Sequence, residues 1–332
     1  MARNSIRKLI TVFSDRCVVT LVLSVFGICV YGANTRPSYS GLPPDSFWRA
    51  KMAAVGTADV VVAGDSRVYR GVDPVALAGE SSSGVVVNFG FSGTGFDKGY
   101  LNATRGMLSS TGARVIVLGV TPHSLTTAAV LKNTYNDYKQ FYGVRLHPWQ
   151  ILVARILDRV PPITFANLRN MLFSRPPNNL STGPRTHFSA NGYAARLTVG
   201  QDSDQTRKTM RHYSTIFNAN QVAEPIVLDL FRFCEDCRAS GVIVVAFRPP
   251  TTDEMEAIEN SESGFNKSMF AASFEEAGGV WLEVAPDGLE TYDGDHLDGQ
   301  SATLFSKRIG KALSEVVLER NFKSSGSVEA VH

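Results

Sequence analysis

At 332 residues, with 44% apolar and 19% charged side chains, the chain is long enough for one large domain with a decoration, or for two small ones. Its net charge of +2 points to no acidic partner, and no basic stripe interleaved with aromatics appears, so nucleic-acid binding is not expected. No Cys/His spacing of the zinc type is present, and no metal is expected either.

The first element is hydrophobic. Arg3, Arg7, Lys8 and Arg16 precede "CVVTLVLSVFGICVYGA", residues 17–33, a run without charge near the lower length limit for a membrane-spanning helix. Basic flanks stay cytoplasmic, so residues 1–16 read as a cytoplasmic tail and 17–33 as a transmembrane anchor. A cleaved signal peptide is the rival, with Val30 and Gly32 as a poor cleavage site. Either reading exports the rest of the chain, as a single-pass protein of the inner membrane with an extracytoplasmic domain or as a free one. Residues 34–57 start rich in Pro, Ser and Gly and read as a tether; the folded domain is expected over 58–320 and a disordered tail over 321–332.

Within 58–320, five short apolar runs recur: "ADVVVAG" (58–64), "GVVVNFG" (84–90), "ARVIVLGV" (113–120), "GVIVVAF" (241–247) and "GVWLEV" (279–284). They are β-branched and apolar on both faces, as strands buried on two sides of a parallel sheet are. Helical patterns separate them. Asp73-Pro74 is a cap and first-turn pair, and 301–320 places Leu304, Phe305, Ile309, Ala312, Leu313, Val316 and Val317 on one face. The expected fold class is α/β, a three-layer sandwich around a five-stranded parallel sheet. Residues 121–240 break the rhythm and read as a mostly helical insertion with a long polar loop, placed to overhang the strand ends. Cys17 and Cys29 lie in the apolar segment. Cys234 and Cys237 fall in the helical pattern "VLDLFRFCEDCRASG", as either a local disulfide or two free thiols.

Ligands of open parallel sheets bind beyond the carboxyl ends of the strands. After the first run stands Gly64-Asp65-Ser66-Arg67, which puts a hydroxyl at the start of a helix, where a base would make it a nucleophile. After the second comes "NFGFSGTG" (88–95), whose glycines permit a backbone N–H to hold an oxyanion. After the last comes "TYDGDHLDGQSA", in which Asp293 and His296 are spaced to share a hydrogen bond; Asp295 and Asp298 are nearby competitors.

These blocks resemble the SGNH (GDSL-like) hydrolase superfamily over about 58–120 and 241–315. The resemblance implies a flavodoxin-like SGNH fold and a triad of Ser66, His296 and Asp293. It implies an oxyanion hole from Ser66 and Gly93, with Gly90 the alternative to Gly93. With the N-terminal anchor, "GDSRVYRGVDP", "VIVLGVTPHSL" and "DGDHL" look like the membrane-anchored SGNH-like proteins of bacterial envelope polysaccharide O-acetylation. Those include the alginate acetylation type and relatives of the D-alanyl-lipoteichoic-acid transfer protein. The implied substrate is a polysaccharide and the implied partner a multi-spanning membrane-bound O-acyltransferase; no cofactor is implied. The pattern departs twice: Arg67 stands where Leu is usual, and "GVTP" (119–122) where Gly-x-Asn-Asp is expected, so that either Thr121 is the substitute third donor or the third donor is absent.

Asp65 reads as a structural residue of the Ser66 turn. Arg67 and Arg70 are candidates for an anionic sugar group, and Trp149 with the tyrosines around 135–142 for a sugar platform. His123, His147, His187 and His212 lie in or beside the insertion without a metal-ligand pattern. Three functions fit: transfer of an acyl, expectedly acetyl, group to a polysaccharide hydroxyl through an acyl-serine; a secreted acetylesterase; and a catalytically inactive glycan-binding or scaffolding subunit.

Overall fold

The structure, a computed structural model, describes residues 39–112, 114–142, 186–197 and 202–326, with side chains to Leu318, and two isolated residues, Thr20 and Ser24. The expected membrane segment, Cys17, Cys29, His147 and Trp149 lie outside the described residues; among these no helix is long and apolar enough to cross a membrane. The strands and helices described below belong to one of the two units into which the chain divides, Tyr39–Arg145 with Pro184–His332.

The expected tether is folded from residue 39 onward. β1 (Tyr39–Gly41) leads into α1 (Pro44–Ala53), which has proline in its first turn. Phe47 and Lys51, one turn apart, are fully buried, and Trp48 nearly so. The Pro/Ser/Gly composition up to Pro43 describes only the entry to this helix; its apolar face is what ties it to the domain. β1 pairs in parallel with β5 (Thr186–Phe188), which pairs antiparallel with β6 (Ala194–Arg196). This three-stranded sheet brings part of the expected helical insertion back to the N-terminal segment.

The main sheet has five strands, all parallel: β2 (Val60–Gly64), β3 (Val86–Asn88), β4 (Val115–Gly119), β7 (Ile243–Phe247) and β8 (Val280–Trp281). Their order is β3-β2-β4-β7-β8, so the chain reverses its winding direction between β2 and β4 and opens a crevice there. The strands bury both faces. Val61, Ala63, Ile116, Leu118, Val244 and Ala246 join one core, while Val60, Val62, Val115, Val117 and Val245 join another. Period-two alternation within wholly apolar runs produces the two layers. The last run pairs over two residues only, and Glu283 beyond it serves as the acceptor of Trp281 Nε1.

Helices cover both faces. The first core takes side chains from α4 (Lys98–Gly106), α8 (Glu224–Ala239) and α10 (Lys267–Glu276), among them Tyr100, Phe233 and Phe274. The second takes them from α2 (Ser66–Gly71), α3 (Pro74–Ser81) and α11 (Gly299–Gly326). Asp73 caps α3 as expected, accepting from Val75 N at 3.0 Å. In α11, Phe305, Ile309 and Leu313 are buried as expected, but Leu304 is 40% exposed. The helix also runs to Gly326, into the expected tail, and its start is capped by Asp298, which accepts from Ser301 N at 2.7 Å.

Between β4 and β7 lie a 3₁₀ turn (His123–Leu125), α5 (Thr127–Leu131), α6 (Thr134–Tyr142), the β5–β6 hairpin, and α7 (Ser203–Ala219) ahead of α8. α9 (Asp253–Glu262) follows β7 and packs on α7. Cys234 and Cys237 are buried free thiols on α8. Burial pushes the Cys237 thiol up to about 11, which keeps it protonated and unreactive.

Candidate active site

Ser66 is the first residue of α2, immediately beyond β2. Its turn is set by Asp65, the helix cap. One carboxylate oxygen accepts Arg67 N at 3.0 Å, and the other accepts the Thr121 hydroxyl at 2.6 Å. The residue after β4 thereby braces the residue after β2 across the crevice. Burial pushes Asp65's pKa up, against the pull of Arg67 and of the Thr121 hydrogen bond.

The loop before α11 supplies the base. Tyr292 N donates to His296 O at 3.0 Å, closing a tight turn around Asp293. Gly294 within it has φ +84°, a left-handed conformation that glycine adopts without strain. Asp293 Oδ1 accepts two backbone N–H groups, Asp295 at 3.1 Å and His296 at 2.8 Å, and so is fixed before it meets the ring. Its Oδ2 lies 2.9 Å from His296 Nδ1, and His296 Nε2 lies 2.8 Å from Ser66 Oγ. Burial opposes ionisation of Asp293, but the hydrogen bond and charge of His296 with the two N–H groups hold its pKa below the ordinary carboxylate value. An ionised Asp293 accepts the Nδ1 proton, which leaves the Nε2 lone pair facing the serine hydroxyl.

The competing carboxylates have other duties. Asp298 caps α11. Asp295 is buried, receives Arg67 Nε and accepts from Tyr213 OH at 2.9 Å; its Oδ2 is also 3.4 Å from His296 Nε2. Arg67 is 3% exposed and also donates to Glu259 at 2.6 Å, whose second oxygen accepts Arg248 at 2.8 Å. Burial works against the Arg67 charge, yet Asp295 and then Glu259 more than offset it, so its pKa stands well above the ordinary value. This corrects the expectation that Arg67 binds substrate: its side chain is buried beneath the site, with Nε and Nη2 held by Asp295 and Glu259, and it does not line the cleft. Arg70 does reach the cleft, where its Nη1 donates to Tyr292 OH at 2.5 Å. The Tyr292 ring in turn stacks on His296, with centroids 5.7 Å apart.

The second block supplies a backbone donor. Gly90 is committed, since its N–H donates to Asn88 Oδ1 at 2.9 Å and its carbonyl accepts from the buried Lys51 Nζ. Gly93 has φ +70° and lines the cleft, and its N–H, like that of Ser66, has no partner among the described residues. Thr121 is different. It is fully buried, donates to Asp65, accepts from Ser124 N at 3.1 Å and does not line the cleft. A hydroxyl has one proton to give, so Thr121 is a brace and not a donor to a bound oxyanion.

These groups open into one cleft of about 490 Å³. Ser66, Gly93, Arg70 and His296 line its sheet side, and Lys208, His212 and Tyr213 of α7 its other side. The insertion therefore overhangs the strand ends, as expected, through α7. Tyr135 is buried in the aromatic core around Phe91, which removes it from a sugar platform, while Tyr138 is half-buried against that core and stacks on Trp48. His187 bonds to Ser40 at 3.0 Å in the small sheet. The sequence reading missed the buried network of Arg67, Asp295, Glu259 and Arg248, the Tyr292 stack, and the entry of His123 into the cleft. The only signal was a surplus of charge beside the motifs. Among the described residues no cluster of His, Cys, Asp and Glu fits a metal ion.

Fold and site together define an α/β protein, doubly wound around a five-stranded parallel sheet, with a Ser–His–Asp hydrogen-bonded series at the sheet's switch point. No family model matches the chain, and no curated protein or solved structure is significantly similar to it.

Proposed function

We propose that this chain is a serine-dependent O-acyltransferase or carbohydrate esterase of the SGNH type, acting on a cell-envelope or exported polysaccharide. The observation that carries this function is the series Ser66 Oγ, His296 and Asp293 at 2.8 and 2.9 Å, opening on a cleft beside the free N–H groups of Ser66 and Gly93. His296 Nε2 takes the hydroxyl proton as Ser66 Oγ bonds to the acyl carbon of the donor. The two N–H groups hold the oxygen that becomes negative. The donor's C–O bond then breaks, its oxygen takes the proton from His296, and an acyl-serine remains. A sugar hydroxyl, or water in the esterase case, gives its proton to His296 and attacks the same carbon; the acyl C–Oγ bond then breaks, and His296 returns the proton to Ser66 Oγ.

The basic flank and the 17–33 run support an anchor that holds this site outside the bacterial inner membrane, beside a membrane-bound O-acyltransferase as the acyl source. A second function, a catalytically inactive glycan-binding subunit, draws on the loss of a third donor: no asparagine follows β4, and the Thr121 hydroxyl belongs to Asp65. Labelling of the full chain with a fluorophosphonate decides between the two. Labelling that disappears in Ser66→Ala, with acetyl release from 4-nitrophenyl acetate, is expected of the enzyme; no labelling of the folded chain establishes the binding subunit. Transfer to candidate glycans, followed by mass spectrometry, separates transferase from esterase.

A further inference from the structure

We propose that His123 is a catalytic residue: its neutral imidazole N–H supplies the third donor to the acyl oxygen, a role that rests on the proposed acyl-serine function. β4 lies in register beside β2, Gly119 opposite Gly64, so the residues after each strand meet at the switch point. Within Thr121-Pro122-His123-Ser124 the duties divide. Thr121 turns inward to Asp65 and is locked by Ser124, while His123 opens the 3₁₀ turn and lines the cleft with Ser66, Gly93 and His296.

The His123 ring is held in place. It sits edge-on to Tyr213, with centroids 6.0 Å apart and planes at 82°, and Tyr213 is itself fixed by its hydroxyl on Asp295. Neither ring nitrogen has a hydrogen-bond partner among the described residues, so the N–H is free for a ligand. Burial lowers the His123 pKa, and the opposing pull of Asp65 does not restore it. Near neutral pH the ring is therefore uncharged and carries one N–H. A neutral imidazole is a weak acid, and it can stabilise a developing oxyanion without surrendering its proton. The other side-chain donors of the cleft are less suited to a preorganised hole. Lys208 and His212 are exposed on α7, and Arg70 is engaged with Tyr292.

The test uses the full chain and 4-nitrophenyl acetate. His123→Phe keeps a flat ring and removes the donor; His123→Gln keeps an N–H. The first is expected to lower kcat by about 10²–10³-fold with KM little changed, the loss typical of one oxyanion donor. His123→Gln is expected to recover at least about tenfold of that loss. Fluorophosphonate labelling of Ser66 should slow in the same order. If His123→Phe does not fold, as judged by circular dichroism, His123→Gln and His123→Leu are compared in its place. Wild-type kcat in a folded donor-less variant, or a raised KM with kcat unchanged, overturns the role of His123 and leaves the acyl-serine function standing. Activity that survives Ser66→Ala overturns that function, and this role with it.

Discussion

Ser66 Oγ and His296 Nε2 lie 2.8 Å apart although 230 residues separate them in the chain. The parallel sheet brings them together, since β2 and the loop before α11 both end on its carboxyl edge. Groups so joined act as one unit. Ser66→Ala and His296→Ala are each expected to lower acetyl transfer by on the order of 10⁴-fold or more, and the double variant by little beyond the worse single one. Steady-state rates of the three variants check this; additive losses would mean independent roles.

Asp293 orients the ring, so Asp293→Asn should leave the fold intact and lower kcat by about 10⁴-fold, because the amide favours the wrong tautomer. A stability effect accompanies the lowered folded-state pKa. Its contribution is fully present above the unfolded value of about 3.9 and is lost as pH falls through the lower folded value. Denaturant unfolding of wild type and Asp293→Asn should therefore differ near neutral pH and converge in acid. A gap that persists in acid would place the stabilisation elsewhere.

Thr121→Val removes the hydroxyl that pairs with Asp65 while preserving shape. It strands a buried carboxylate oxygen and is expected to cost about 1–3 kcal/mol of stability, read from urea midpoints. Thr121→Asn should not raise ester hydrolysis, because the position faces Asp65 and not the cleft; a raised rate would return Thr121 to the oxyanion hole.

Arg67→Met leaves Asp295 and Glu259 buried without their shared cation, and a loss of about 3–5 kcal/mol is expected. Arg67→Lys should not rescue it, since one ammonium cannot reproduce the fork that reaches both carboxylates. Thermal unfolding of both variants tests the point, and wild-type stability in Arg67→Lys would count against it.

Lys51 donates to the carbonyls of Gly90 and, at 2.9 Å, of Gly192, inside a cage in which Tyr69 and Phe91 each lie 4.8 Å from its nitrogen. Burial pushes its pKa well below the ordinary value. Between that lowered value and the unfolded value of about 10.4, the unfolded chain binds one more proton, so stability rises with pH across this window. Relative to Lys51→Met, the wild type should gain stability as pH climbs toward that value. A difference that stays flat with pH would show that burial of the charge costs nothing here.

The amino-acid sequence by itself determined the five strands, because wholly apolar β-branched runs have one place to go, the middle of a sheet covered on both sides. It also determined the candidate nucleophile and base. Ser66 comes two residues after the end of the first run and His296 stands three residues after Asp293, and such nearness at strand ends is local information. The role of each remaining polar residue was decided by tertiary structure. Nothing near Arg67 in the chain announces Asp295, 228 positions away, and only their burial together makes a ligand-binding candidate into a structural ion pair. Thr121 and His123 are two residues apart, and a single turn of 3₁₀ helix sends one to Asp65 and the other to the cleft. The folded part of the tether was hidden for the same reason. Composition reports how a segment is solvated on average, whereas Phe47, Trp48 and Lys51 become core only once a particular surface exists for one face of their helix to cover.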